Sequence, residues 1–271
     1  MVCQLLCVAA IWLAEPQGLG RRMDIDGASL FVPTGFHPQG NTVDVLLHLH
    51  GATSVVEPAF VEAGWPGVLI VFNRPGLSSV YAQPFREPGL LPDLLDRAMK
   101  ALRAEGFIQD PSIGRLVVSS FSAGFGGVRE MLKVSQHADR IDAIVMADSL
   151  YCGYIGDPAK RQLDPRLMAP FRRFAAQAVA GNKALLLTHS AQVPEGYGST
   201  TETSDDLICW TKAVPTTEGI DWGPNWLSTR RFVKGGFEVV GFAGPTGDDH
   251  LRHLREIARI WIEARRLIDP R

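Results

Sequence analysis

The chain has 271 residues, 46% of them hydrophobic and 21% charged, a balance that fits a folded globular protein and excludes a largely disordered one. Its 27 Lys and Arg against 29 Asp and Glu give a formal charge of −2, which argues against a basic nucleic-acid-binding protein. No apolar run reaches the roughly 18 residues of a membrane span.

Residues Met1 to Ala14 are apolar and uncharged, like the hydrophobic part of a secretion signal. Basic residues appear only after the run, at Arg21 and Arg22, and no small-x-small cleavage site closes it. Two readings stand: a signal, with a secreted or periplasmic protein, or an N-terminal strand or helix of a cytoplasmic one. The organisation read here is an apolar segment over 1–22 and a single domain over 23–271.

Met23 to Pro33, with a Gly in its middle, predicts a strand pair. Val43 to Leu49 and Val68 to Phe72 predict buried strands. Pro92 to Ala104 predicts a helix with Leu94, Leu95, Ala98, Met99, Ala101 and Leu102 on its apolar face. Arg115 to Ser119 predicts a strand, and Phe125 to Val134 a helix. Ile141 to Ala147 is the next strand. Phe171 to Ala180 is a helix started by Pro170 and stopped by Gly181. Ala184 to Thr188 and Phe237 to Phe242 are the last strands. Leu251 to Leu267 is a closing helix with Leu251, Leu254, Ile257, Ala258 and Trp261 on one face. Continuous apolar strands alternating with helices imply an α/β domain with a mostly parallel sheet. Ligands of such sheets sit beyond the carboxyl ends of the strands.

Three motifs fall at those ends. Ser120-Phe121-Ser122-Ala123-Gly124 stands between a strand and a helix, in the small-x-Ser-x-small pattern of a nucleophile elbow, where a sharp turn leaves no room for bulk two residues to either side. Ser122 as a mere helix cap is the alternative. A serine hydroxyl needs a general base. His250, in the turn before the closing helix, is the candidate among seven histidines. His253 is expected to be partly solvated, and His137 to lie on the surface. His50-Gly51-Ala52 follows an early strand and suits an oxyanion hole, with amides from Ala123 and from Ala52 or Thr53. The third group, a carboxylate that orients the histidine, reads best as Asp148, directly after IDAIVMA. Glu202 is the alternative acid, with Asp205 and Asp206 behind it. Glu202 also completes a capping box with Ser199. His189 and Ser190 are then expected to line the cleft.

In these motifs and their order the chain resembles the α/β-hydrolase superfamily, over about Met23 to Leu267. The resemblance implies an eight-stranded, mostly parallel sheet with helices on both faces and a Ser-acid-His triad in that chain order. The short stretch from Leu150 to Lys183 resembles the trim esterases that lack a large cap domain. The activity so implied is hydrolysis of carboxylic esters, with a small-molecule or polymer-chain ester as substrate. An amidase or peptidase with the same triad, and a non-catalytic binding protein on the same fold, are the alternatives. No metal or cofactor motif is present: HExxH, DxDxDG, GxGxxG and GxxxxGK[ST] are all missing. Adjacent Asp248, Asp249 and His250 cannot readily aim at one ion. Tyr81, Tyr151, Tyr154, Tyr197, Trp222 and Trp226 fall in edge loops and could form a pocket. Arg74 and Arg86 are the basic residues considered near it. Cys152 and Cys209 are either two separate thiols or, in an oxidising compartment, a pair.

Overall fold

The computed structural model describes residues 18–269 apart from Gln39 and Asn225. The apolar segment Met1 to Ala14, with Cys3 and Cys7, lies outside the described residues.

In chain order the strands are β1 (Gly20–Asp24), β2 (Ser29–Pro33), β3 (Thr42–Leu49), β4 (Val68–Phe72), β5 (Ser112–Phe121), β6 (Ala143–Ala147), β7 (Ala184–His189), β8 (Val214–Pro215), β9 (Ser228–Lys234) and β10 (Phe237–Phe242). The helices are α1 (Thr53–Glu62), α2 (Ser78–Phe85), α3 (Leu90–Ala104), α4 (Phe125–Lys133), α5 (Ser135–Arg140), α6 (Pro165–Val179), α7 (Thr200–Thr211), α8 (Gly247–Arg255) and α9 (Ile257–Ile268).

Among the described residues, all ten strands form one sheet in the order β1-β2-β4-β3-β5-β6-β7-β10-β9-β8. From β4 to β10 the pairing is parallel. At one end β2 joins β4 antiparallel. At the other, β9 and β8 extend the sheet antiparallel from β10. Eight strands were expected from the resemblance, and the extra two are β8 and β9. Strand β8 is only the exposed pair Val214-Pro215, and β9 opens on the polar Ser228-Thr-Arg-Arg and is incompletely buried, so no apolar run announces them. With helices on both faces, this is the α/β-hydrolase fold.

Alternation along the strands feeds two cores. Val45, Leu47 and Leu49 of β3 join Leu116 and Val118 of β5 in a layer with α2, α3, α4 and α6. Leu46 and Val117 point the other way, against Val56 and Phe60 of α1 and Ile257 and Trp261 of α9. Strands buried on both faces read as unbroken apolar runs, which made β4 and β6 visible in the sequence.

Helix limits differ from expectation where a better cap was present. Helix α6 starts at Pro165, because Asp164 accepts the Arg166 amide at 2.9 Å and caps it, so Pro170 lies inside the helix. The closing helix is two helices, broken at Glu256. The break lets α8 turn His253 inward while Leu251, expected on the apolar face, is 47% exposed. Residues 20–22, grouped in sequence with the apolar segment, are part of β1, and Arg22 binds both carboxylate oxygens of Glu57 on α1.

Candidate active site

The parallel register brings distant residues to one edge. Leu49 of β3 pairs with Ser120 of β5, Phe121 with Ala147 of β6, and Ala147 with Thr188 of β7. One residue beyond β3, β5 and β6 stand His50, Ser122 and Asp148, with φ of +70°, +45° and +43°. Left-handed backbone is costly for residues with side chains and concentrates at functional sites. Six described non-glycine residues adopt it, and these three sit on adjacent strand ends.

Ser122 occupies the sharp turn between β5 and α4. A Cβ on Gly124 would lie 2.5 Å from the Leu49 carbonyl oxygen, and one on Gly126 would lie 2.2 Å from that of Ser78. The turn therefore requires glycine where the elbow pattern places it. Ser120 braces it from behind. Ser149 Oγ donates to the Ser122 carbonyl at 2.9 Å, which leaves it to accept from Ser120 Oγ at 2.8 Å. Ser122 caps no helix: the cap positions are Phe121 and Gly124, without side-chain bonds. Its Oγ has no hydrogen-bond partner among the described residues and faces a cavity that His250 also lines. Such contacts commonly tighten only when substrate is bound.

His250 leaves the start of α8. Thr246 and Asp249 satisfy the cap reciprocally and Asp248 pairs with Arg255, so the Asp-Asp-His triplet has three separate destinations. His250 Nδ1 donates to Asp148 Oδ2 at 2.8 Å, across 102 residues of sequence. That bond keeps Nε2 free to take a proton. Asp148 is fully buried. Its other oxygen accepts from the Ser190 amide at 3.1 Å and from the Thr200 hydroxyl. Burial pushes the Asp148 carboxyl upward, but nearby His253 and the hydrogen bonds from His250 and Ser190 hold it below the usual carboxylate range. The imidazole of His250 is stacked on Phe121 at 4.6 Å, and Phe121 stacks in turn on His50 at 5.8 Å.

Glu202 is engaged elsewhere. It completes the capping box of α7 and receives two bonds from Arg161, at 2.8 and 2.7 Å, besides one from Tyr154. Asp205 pairs with Arg230 and Asp206 with Arg172.

Several histidines differ from expectation. His253 is fully buried, with Nδ1 at 2.8 Å from Thr188 Oγ1. His137 is also buried. His189 and Ser190 lie behind Asp148 instead of lining the cleft: His189 Nε2 accepts from Arg230 at 2.8 Å, and Nδ1 donates to the Ser190 carbonyl at 2.9 Å. His48 is buried too, its Nδ1 at 3.0 Å from Ser119 Oγ, which accepts from Trp261 Nε1 at 2.9 Å. Burial lowers the pKa of His48 to about 3, and those of His189 and His253 to about 4 each. All three are neutral in the native protein at pH 7.

The cavity measures about 470 Å³, within the usual range for a small-molecule site. Leu77 and Ser78 form one wall. Ser122, Ala123, Phe125 and Arg129 come from the elbow and α4. Tyr151, Cys152, Gly153, Gln192 and Tyr197 close the other side around His250. Ala52 stands at the cap position of α1 beside Gly51, and Ala123 at the first turn after the elbow. Amides at such helix starts have no intrahelical acceptor. Ala123 lines the cavity; Ala52 and Thr53 lie outside its lining.

Of the aromatic residues expected at the pocket, Tyr151 and Tyr197 line it, 5.6 Å apart edge to face. Tyr81 is buried under the His50 loop, Tyr154 bonds Glu202, and Trp222 and Trp226 pack on Phe242. Arg74 lies over the ring of Phe72. The basic residue that does line the cavity is Arg129, seven residues after Ser122. That helical spacing was the available signal. A second hollow, of about 730 Å³, opens at the opposite, amino edge around Asp44 and Arg115 and holds none of the candidate site residues. Cys152 is a buried free thiol and Cys209 an exposed one, so they are not paired. Among the described residues, no helix is long and apolar enough to cross a membrane, and no group of three or more His, Cys, Asp or Glu could hold a metal ion.

No protein-family model matches the chain, and no curated protein matches it. Solved structures similar to it include a feruloyl esterase module from Clostridium thermocellum, 11% identical over 85% of this chain and 82% of that one, with a TM-score of 0.45. A carboxylesterase from Bacillus subtilis is 9% identical over 92% and 91%, with a TM-score of 0.48. A siderophore hydrolase from Aspergillus nidulans is 10% identical over 97% and 95%, with a TM-score of 0.48. Likenesses at this level leave the site to be argued from its own geometry.

Proposed function

We propose that the protein is a serine hydrolase that cleaves carboxylic esters through an acyl-enzyme intermediate. The observation that carries this reading is the His250–Asp148 hydrogen bond, anchored in the core and facing the same cavity as a serine in a strained turn. A binding scaffold has no need of a buried carboxylate that fixes the tautomer of a cavity histidine.

In this mechanism Ser122 Oγ attacks the ester carbonyl carbon as His250 Nε2 takes the hydroxyl proton. The carbonyl oxygen becomes an oxyanion, held by the amide of Ala123 in the cavity wall, with Ala52 at the start of α1 the second donor proposed although it lies outside the cavity lining. The imidazolium is stabilised by Asp148, which stays ionised because its surroundings lower its pKa. Collapse of the tetrahedral adduct breaks the bond to the alcohol oxygen, and His250 returns the proton to the leaving alcohol. Water, deprotonated by the same Nε2, then attacks the acyl-serine, and its collapse releases the acid and restores Ser122. Esters are preferred to amides because an alkoxide leaves more readily than an amine anion.

The test is hydrolysis of 4-nitrophenyl esters from acetate to decanoate by wild type and by Ser122→Ala. Turnover is expected to fall at least about 10³-fold in the variant. Unchanged turnover in a folded Ser122→Ala protein would refute the mechanism.

A further inference from the structure

Arg129 is in an unusual position for a cation. It projects from α4 into the cavity wall, and it is the only Lys, Arg, Asp or Glu among the described residues lining that cavity. One nitrogen is spent: Nη2 donates to the Tyr151 carbonyl at 2.9 Å. Nε is buried and has no acceptor among the described residues. The guanidinium carbon rests 4.8 Å from the centre of the Phe125 ring.

Among the described residues no carboxylate forms an ion pair with it, and Glu130 and Asp164, whose charges act on it through space, are bonded elsewhere. Glu130, next in sequence, binds Lys133 at 2.7 Å, and Asp164 binds Arg166 at 2.8 Å. The other polar neighbours carry no negative charge at neutral pH: burial raises the Cys152 thiol to about 11 and pushes the Tyr151 hydroxyl well up. A half-buried arginine that keeps an unmet donor and has no direct ion pair among the described residues leaves an electrostatic demand on whatever fills the cavity.

Building on the ester-hydrolase reading, we infer that the substrate is an anionic ester, carrying a carboxylate at the end of the part that reaches from Ser122 to Arg129. Seven helical residues span roughly 10 Å of axis. Helical side chains lean toward the helix N-terminus, which brings the guanidinium nearer the serine. A monoester of a medium-chain dicarboxylic acid, or an ester of a carboxylated alcohol, meets that spacing. The wall between the two ends, with Phe125, Tyr151 and Tyr197, suits an apolar or aromatic spacer.

The experiment uses matched pairs that differ only in charge. On the acyl side these are the mono-4-nitrophenyl esters of adipic and suberic acids and their methyl-capped counterparts. On the alcohol side they are 4-carboxyphenyl acetate and its methyl ester. All rates are corrected for enzyme-free hydrolysis. For at least one pair, wild type is expected to prefer the anionic member in kcat/KM. Arg129→Gln should lower kcat/KM for that member by about 10- to 100-fold, the usual worth of a hydrogen bond to a charged group. The neutral member should change less than about threefold, and Arg129→Lys should recover part of the loss.

Melting temperature and the rate of Ser122 labelling by a neutral fluorophosphonate report whether the Gln variant keeps its fold and elbow. If labelling is normal but no pair shows a charge preference, the inference is wrong and the hydrolase reading survives. An equal loss on both members in Arg129→Gln, not recovered by Arg129→Lys, makes Arg129 a structural brace and also overturns it. If wild type neither labels nor turns over any ester, the hydrolase reading fails and the inference falls with it.

Discussion

Replacing Asp148 by Asn tests the site most sharply, because the geometry dictates what the amide would do. Asp148 Oδ1 accepts from the Ser190 amide and the Thr200 hydroxyl, while Oδ2 accepts from His250 Nδ1. An asparagine offers one acceptor oxygen and one NH2 group. The oxygen is claimed by two donors, one of them a backbone N–H that cannot rotate away. The NH2 therefore faces His250, and Nδ1 must become an acceptor. The imidazole then carries its proton on Nε2 and cannot accept one from Ser122. A similar tautomer reversal in a serine protease lowers kcat about 10⁴-fold, and the expectation here is a loss of about 10³- to 10⁴-fold. The native packing is kept, so the melting temperature should shift by only a few degrees.

The control is Glu202→Gln. It weakens the two-bond pair with Arg161 and half of a capping box, worth together about 1 kcal/mol. The melting temperature should drop by about 2–4 °C while kcat/KM stays within about twofold. The assay is 4-nitrophenyl ester hydrolysis at pH 8, with circular dichroism melts. An Asp148→Asn enzyme within about threefold of wild type, or a Glu202→Gln enzyme that has lost turnover, would refute the assignment of the acid.

The buried histidines predict acid weakness. His253 has a native pKa of about 4 and an unfolded value near 6.5, so the unfolded chain binds more protons between those values and stability falls as pH drops through that window. The loss at pH 5 is about 2 kcal/mol for each such group, and His48 and His189 add to it. Urea unfolding at pH 7 and pH 5 should show that His253→Asn loses about 2 kcal/mol less than wild type on acidification; an identical loss in both would sink the argument. Gly124→Ala sets a Cβ 2.5 Å from the Leu49 carbonyl and must push the elbow away from β3. It is expected to cost about 2–3 kcal/mol of stability and at least tenfold in kcat/KM, and a fully active, fully stable variant would show that the close approach is not needed.

The parts of the candidate site written in consecutive residues were legible. The elbow pattern demands small residues at fixed offsets, and Gly124 shows the steric cause in the distance to Leu49. Asp148 was readable from its place one residue past an apolar strand, because parallel strands in register end at one edge. Its bond to His250 was not readable, since nothing local links residues 102 apart. Hydropathy also misplaced His253 and His137. A histidine in a polar stretch looks solvated, yet one turn of α8 carries exposed Leu251 and fully buried His253. Arg129 was overlooked because a single arginine on a helix is ordinarily a surface residue. The i+7 spacing from Ser122 matters only once the wall of the cavity is known.

The strained residues of the edge are each held from behind by buried polar groups. Ser122 is tied through its carbonyl to Ser149 and thence Ser120. The Asp148 amide donates to the Thr188 carbonyl at 2.9 Å, and Thr188 Oγ1 meets His253. Below His50, Tyr81 Oη accepts the Arg74 amide at 3.0 Å and donates to the Arg74 carbonyl at 2.7 Å, so the 2.7 Å contact with His50 Nδ1 is a bond that the histidine donates. An apolar core could bury these loops but could not fix a carbonyl or an amide in direction. Left-handed residues hold only where their surroundings over-determine them. The same requirement puts neutral histidines in the core, and these must be charged for the protein to unfold in acid. Acid sensitivity and a pre-set edge thus have one structural origin, and relieving the first by replacing His253 with an apolar residue would leave Thr188, and with it the Asp148 loop, less firmly held.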